Sequence, residues 1–462
     1  MPVNDVMSVV ATKIYPALLV VFFFALTIFI HELGHFLMAR RRGMKVERFS
    51  IGFGPKIFGW QKDGIDYRVS WLPFGGYVAL PQMSPMEAIE GKTESKAEDL
   101  PPAPPASKIL VAFAGPVMNI LLAFLLASII WYIGKPSNPA VVGWVEAGST
   151  EEQAGVQPGD RIVKVNGHPI KTWTQFVESV AFSREPQVHL VLDRDGQTLE
   201  RDLETKLNKQ FGVKTLDGVY PRERPFARSI NGGSPAERAG LQPGDRFVSV
   251  EEMPIHSSDQ LRELIGKRAD QVTTVKVLRQ DEMLTLTVTP EFMKEENAAR
   301  MGVLLGDELE IVRPGPTPWE QFREVFVSMA RMFSALWHSK ETGVSAHSVS
   351  GPVGIMGAWW YGIVSGGVRQ GIVIAILLNI NLAILNLLPL PILDGGHIVF
   401  AMLESVRRKP LNARLVQNVS VAFAILLISF MLYVTFFDVQ RFFSRPKANP
   451  GPPTPEAPAT AP

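Results

Sequence analysis

The chain has 462 residues, 46% of them hydrophobic, with a mean hydropathy of +0.12, between a water-soluble enzyme and a pure transporter. A formal net charge of +1 supplies no concentrated basic surface for nucleic acid, which sets that class of partner aside. The absence of cysteine removes disulfides, thiolate nucleophiles and thiolate metal sites, leaving His, Asp and Glu as ligands.

In chain order, Tyr15 to Ile30 is almost wholly apolar and runs into His31-Glu32-Leu33-Gly34-His35, then Arg40, Arg41 and Arg42. Together these predict one membrane-length helix. No basic segment precedes the apolar run and no A-x-A site follows it, so a retained anchor is expected rather than a signal peptide. Phe49 to Pro55 and Tyr67 to Val78 read as strands joined by a turn at Gln61 to Gly64. Glu87, Glu90, Glu94, Glu98 and Asp99, leading to Pro101 through Pro105, read as a solvated linker. A second span runs from about Ile109 to Ile133, with a bend expected at Gly115-Pro116.

An internal repeat follows. Ala154-Gly155-Val156-Gln157-Pro158-Gly159-Asp160-Arg161 recurs as Ala239-Gly240-Leu241-Gln242-Pro243-Gly244-Asp245-Arg246. In each copy the Pro-Gly-Asp turn enters an alternating strand, and a polar helix starts near Thr172 or Ser257. The pattern resembles tandem PDZ domains, which add an extended peptide to a sheet edge; rigid spacers with unused grooves are the competing account.

Trp319, Phe322, Phe326, Met329, Phe333 and Leu336 share one helical face, suited to a membrane surface or to packing on the second repeat. Gly351-Pro352-Val353-Gly354 predicts a tight, non-helical approach to a third span from about Gly371 to Leu388, and a fourth runs from about Val416 to Phe437. Arg40 to Arg42, Lys45 and Arg48, with Arg407, Arg408, Lys409 and Arg414, predict cytoplasmic loops, against the pull of Arg441, Arg445 and Lys447. The long loop carrying the repeats then lies outside. The tail from Pro446 reads as disordered.

The expected fold is a multi-domain α+β, polytopic membrane protein with four transmembrane helices, two tandem PDZ-like β-rich domains and a membrane-associated β-hairpin. Its expected boundaries are 1–42, 43–83, 84–106, 107–135, 136–220, 221–310, 311–370, 371–404, 405–440 and 441–462, for first span, hairpin, linker, second span, two PDZ-like domains, amphipathic helix with approach segment, third span, fourth span and tail.

His31 and His35 stand at i and i+4 on one helical face, close enough to share a zinc ion, with Glu32 beside them as general base. Three ionisable residues inside a membrane helix are costly and mark function, although hydrogen bonding within a helix bundle is the competing account. A hydrolytic zinc site takes a third protein ligand and leaves its fourth position to water. Asp394 is the carboxylate expected to complete it, in Asn386-Leu387-Leu388-Pro389-Leu390-Pro391-Ile392-Leu393-Asp394-Gly395-Gly396-His397. Two prolines break that helix, and the glycines are expected to let the backbone turn.

With these motifs and the tandem repeats between them, the chain resembles the site-2 protease family, nearly throughout except for the Pro-rich tail. The resemblance implies that His31, His35 and Asp394 bind zinc and that Glu32 activates water. Asn386, assisted by Asn381, would hold substrate or stabilise the oxyanion. It also implies a membrane-reentrant hairpin able to take an unwound substrate as an added strand. Substrates would be single-pass membrane proteins such as an anti-sigma factor, and remnant signal peptides, in a bacterial inner membrane with the PDZ-like domains periplasmic. Peptide termini are possible partners of those domains. Two rivals stand beside this reading. One is a membrane adaptor with a closed structural zinc site, which His397 as a fourth ligand would favour; the other is a zinc transporter, against which no inverted repeat is visible among the spans.

Overall fold

A computed structural model describes residues 14–83, 100–208, 212–293, 298–344, 348–409 and 411–443. The acidic residues Glu87 to Asp99 of the expected linker, and the tail from Pro446, lie outside the described residues. The chain divides into two compact units, one of Met1–Pro136, Ile311–Ala330 and Ser350–Phe436, the other of Ser137–Glu310, Arg331–Val349 and Phe437–Pro462.

Among the described residues four helices are long and apolar enough to cross a membrane: Tyr15–Arg41, Pro105–Ile133, Pro352–Asn386 and Arg414–Gln440. The first, α1 (Tyr15–Arg41), begins with Pro16 in its first turn and closes with Arg40 and Arg41, whose charge complements the carbonyl end of the helix. The second, α2 (Pro105–Ile133), runs continuously through Pro116. A methyl on Gly34 of α1 would come within 2.4 Å of the Ala114 carbonyl oxygen of α2, so the two backbones touch where neither carries bulk.

Between them β1 (Arg48–Lys62) and β2 (Ile65–Ala79) meet at Asp63-Gly64, both with positive φ, as a tight two-residue hairpin turn requires. They do more than form the expected hairpin. Each strand bends and folds back, so that Ile51 pairs with Val69 on one side and Gly76 on the other, while Phe58 pairs with Val69 from the far side. The result is a four-stranded sheet whose last segment, ending at Ala79, is an edge. The bends coincide with Gly52, Gly54 and Gly75, at φ 89°, 87° and 131°, which side-chain-bearing residues rarely adopt. Phe58, Trp60, Trp71 and Leu72 are exposed on this sheet.

The third apolar helix is two helices. Gly367 (φ 65°, ψ −160°) breaks Pro352–Asn386, and across the break the Trp359 indole N–H donates to the Gly371 carbonyl at 3.1 Å. The expected non-helical approach at Gly351-Pro352 is therefore helical, with Pro352 at its first position, where a missing N–H costs nothing. The spanning arm follows Gly367, close to the expected start. After Asn386 the prolines interrupt the helix, and a separate helix, α3 (Asp394–Arg407), precedes the last, α4 (Ala413–Phe443).

In the second unit the sequence repeat becomes a structural one. The first copy has a four-stranded sheet and a core of Ile162, Val165, Phe176, Val188, Leu190 and Leu192. The second has a six-stranded sheet and a separate core including Phe247, Val250, Leu261, Val275 and Val277. Asp160 is fully buried and paired at 2.6 Å with Arg194; Asp245 is fully buried and paired at 2.7 Å with Arg279. Each carboxylate also accepts from the backbone N–H at the start of its turn, Gln157 or Gln242.

Candidate metal centre

The helical period places His31 and His35 one turn apart on the buried side of α1, with Glu32 buried between them. Their Nε2 atoms lie 3.2 Å apart. Asp394, the first residue of α3, brings Oδ2 to 3.3 Å from His31 Nε2 and Oδ1 to 3.3 Å from His35 Nε2. Its Oδ2 is buried and makes no hydrogen bond.

What brings Asp394 to α1 is close packing at the start of α3. A methyl on Gly395 would lie 2.2 Å from the Leu388 carbonyl oxygen, and one on Gly396 would lie 2.2 Å from that of Leu390. The glycines thus serve close backbone approach; they are helical, and the expected turn is made by the segment before them. An acidic residue in the first turn of a helix is also favoured by its exposed N–H groups.

The opposite wall is α2. The Val111 carbonyl accepts from His35 Nδ1–H at 2.8 Å, which leaves the His35 Nε2 lone pair free. A methyl on Gly115 would sit 2.3 Å from His35 Nε2 and 2.9 Å from His31 Cε1, so the space of a missing side chain holds both rings. The Asn119 amide nitrogen is 3.3 Å from His31 Nδ1, and that of Asn386 is 3.3 Å from His31 Nε2. On the third side, the edge segment of the sheet comes up to the base: a methyl on Gly76 would fall 2.8 Å from Glu32 Cγ.

The donor set fits a zinc ion. Tetrahedral zinc with bonds of about 2.0–2.1 Å holds its ligand atoms roughly 3.3 Å apart; the two Nε2 atoms are 3.2 Å apart, and each lies 3.3 Å from one oxygen of the Asp394 carboxylate, Oδ2 for His31 and Oδ1 for His35. Two imidazole nitrogens and one carboxylate, mostly buried, are also the ligand types zinc takes in hydrolytic centres.

Five of the six residues singled out in the sequence, His31, Glu32, His35, Asp394 and Asn386, therefore meet in one place. Asn381 makes no hydrogen bond to the cluster among the described residues, and its Oδ1 is buried without a partner. His397 is outside the three-residue group and lines a small cavity with Lys108 and Glu404, which are paired at 2.7 Å. Asn119, Gly115 and the Val111 carbonyl were not anticipated. Asn119 was the findable one, because a fully buried amide in an apolar span needs a partner.

A family model described as Peptidase family M50 matches residues 19–430. A candidate zinc metalloprotease of Neisseria meningitidis is 32% identical over 460 residues, covering 92% of this chain and 99% of that protein. The regulator of sigma-E protease RseP of Escherichia coli is 30% identical over 441 residues, covering 89% of this chain and 95% of that protein. Among solved structures, the PDZ domain of an SdrC-like protein from Listeria monocytogenes aligns with 18% of this chain and 86% of its own, at 14% identity. Its TM-score of 0.17 carries no weight for the fold.

Proposed function

The chain belongs to peptidase family M50 and is a zinc metalloprotease of the site-2 type, and on that premise we propose that it cuts single-pass membrane proteins within the bilayer. His31, His35 and Asp394 hold the zinc, and Glu32 is the general base. The observation that carries this reading is a pair of imidazole Nε2 atoms 3.2 Å apart facing one carboxylate, whose Oδ2 lies 3.3 Å from His31 and whose Oδ1 lies 3.3 Å from His35, beside a buried glutamate. Zinc bound there supplies a water of near-neutral pKa and polarises the scissile carbonyl. Glu32 takes the proton of the attacking water and delivers it to the leaving amine nitrogen. The Asn386 side-chain N–H donates to the substrate carbonyl oxygen as charge develops on it, an interaction that a dry site strengthens. Asn381 assists from the same helix.

An extended substrate lies along the sheet edge around Gly76, its backbone N–H and C=O groups paired with that strand, which presents a peptide bond beside Glu32. A helix cannot offer its backbone in this way, so the substrate must unwind first. The two repeat domains are PDZ-like, lie on the periplasmic side of a bacterial inner membrane, and bind peptide ends or exclude substrates with bulky outer domains. The resemblance to the site-2 proteases supports an anti-sigma factor and remnant signal peptides as the substrate class; the Escherichia coli relative is named a regulator of sigma-E protease.

The test is cleavage of a truncated single-pass substrate by the purified full chain in detergent, comparing wild type with Glu32→Gln and measuring zinc in both. The expected outcome is a loss of at least about 100-fold in rate with zinc retained. Equal cleavage would remove Glu32 from the role of base.

A further inference from the structure

Val111, Gly115 and Asn119 stand four residues apart along one face of α2, and each meets the histidine pair: the first at His35, the second between the rings, the third at His31. An imidazole can offer Nε2 to a metal only when its proton sits on Nδ1, and the partner of Nδ1 decides this. For His35 the partner is the Val111 carbonyl, which can only accept, so the matter is settled. For His31 it is the Asn119 side chain, whose two ends differ in role but hardly in shape.

With the Asn119 nitrogen facing Nδ1 and the Asn386 nitrogen facing Nε2, a neutral His31 would have to accept at both ring nitrogens, although it carries one N–H. One amide must be turned over. Asn119 is fully buried, and in that orientation its Oδ1 has no partner, whereas no atom of Asn386 is left in that state. Turning Asn119 lets Oδ1 accept from His31 Nδ1–H and leaves Nε2 with its lone pair. The amide N–H that then lacks a protein partner can be satisfied by the water a hydrolytic centre admits.

We propose that Asn119 is a positioning residue, which through Oδ1 fixes the tautomer and ring angle of His31 so that Nε2 faces the metal. The inference rests on the metal-centre reading above. Removing an outer partner of a metal-bound histidine costs about 10–100-fold in metal affinity.

The test uses the purified full chain in detergent. Zinc affinity is measured by chelator competition for wild type, Asn119→Leu and Asn119→Asp, with the thermal midpoint of each zinc-free protein as a check on folding. Asn119→Leu, of similar size and unable to accept, is expected to bind zinc about 10–100-fold more weakly. Asn119→Asp keeps the acceptor and is expected to bind as tightly as wild type or more tightly. Zinc affinity unchanged in Asn119→Leu, or lost equally in both variants, would overturn the proposal. If Asn119→Leu does not fold, weakened binding by a folded Asn119→Asp overturns it alone. A wild-type chain that takes up no zinc would instead bring down the metal-centre reading, and this inference with it.

Discussion

Gly115 occupies a position where helix propensity and site geometry point in opposite directions. Glycine within a helix costs about 0.5–1 kcal/mol relative to alanine, so Gly115→Ala would stabilise a helix that did nothing else. Here the added methyl would come within 2.3 Å of His35 Nε2, in a helix pressed against α1 and unable to withdraw. The variant is therefore expected to lose zinc, and with it most cleavage, while remaining folded; metal analysis and a thermal midpoint on one sample separate the two effects. Residues of this kind decide how far a site can be read without coordinates. His31, Glu32 and His35 were legible because their spacing within one helix determines their geometry. Asp394 was legible only beside those three, since an Asp-Gly-Gly after a broken span reads by itself as a capped turn. Gly115 was not, since a Gly-Pro pair in a span reads as a bend, and Asn119 was legible only as an amide in need of a partner; the neighbouring helix says which partner it is.

At the level of elements, the sheet between the first two spans shows where periodicity stops being informative. Alternation correctly marked two strands and their turn, but the fold-back into four depends on glycines at positive φ, which alternation does not register. The helix before Gly367 was hidden likewise, because Gly351-Pro352 reads as irregular backbone, whereas Ser365-Gly366-Gly367 and Arg369-Gln370 did mark where the apolar arm begins. The repeat domains were clear from sequence because recurrence needs no conformational reading. In the second of them Glu223 accepts from the Ser258 N–H at 3.0 Å, while Ser258 Oγ donates to Asp307 at 2.6 Å, at the start of the helix Ser258–Gly266. Burial, and then the Asp307 charge, push Glu223 up from 4.5 to about 7, and burial raises Asp307 too. Below 4.5 Glu223 is protonated whether the chain is folded or not, and its contribution to stability is complete. Between 4.5 and about 7 the unfolded chain releases the proton that the folded domain retains, so stability falls as pH rises through that interval. Calorimetry is expected to find the unfolding midpoint of the repeat domains lower at pH 8 than at pH 5. Glu223→Gln should narrow that difference; an unchanged difference would assign the slope to other groups.

Taken whole, the molecule keeps its chemistry and its repeats in separate cores. The metal cluster lies entirely within the unit that contains α1, α2 and α3, whereas the repeats close on hydrophobic clusters of their own. Withdrawal of zinc is therefore expected to lower one unfolding transition and leave the other in place. Free zinc at about 100 times its dissociation constant stabilises the unit that binds it by roughly 2.7 kcal/mol. A chelator scan by calorimetry measures this, and movement of both transitions together would refute the separation. The division also bears on when the protein becomes able to act. His31 lies 355 positions from Asn386 along the chain, with both repeat domains made in between. At roughly 5–20 residues per second, on the order of 20–70 s of synthesis separates the helix bearing the two imidazoles and the base from the segment bearing Asp394. Throughout that interval the growing chain carries His31, Glu32 and His35 without Asp394. The cluster can assemble only once the segment bearing Asp394 has been made and has reached the helix bearing His31 and His35.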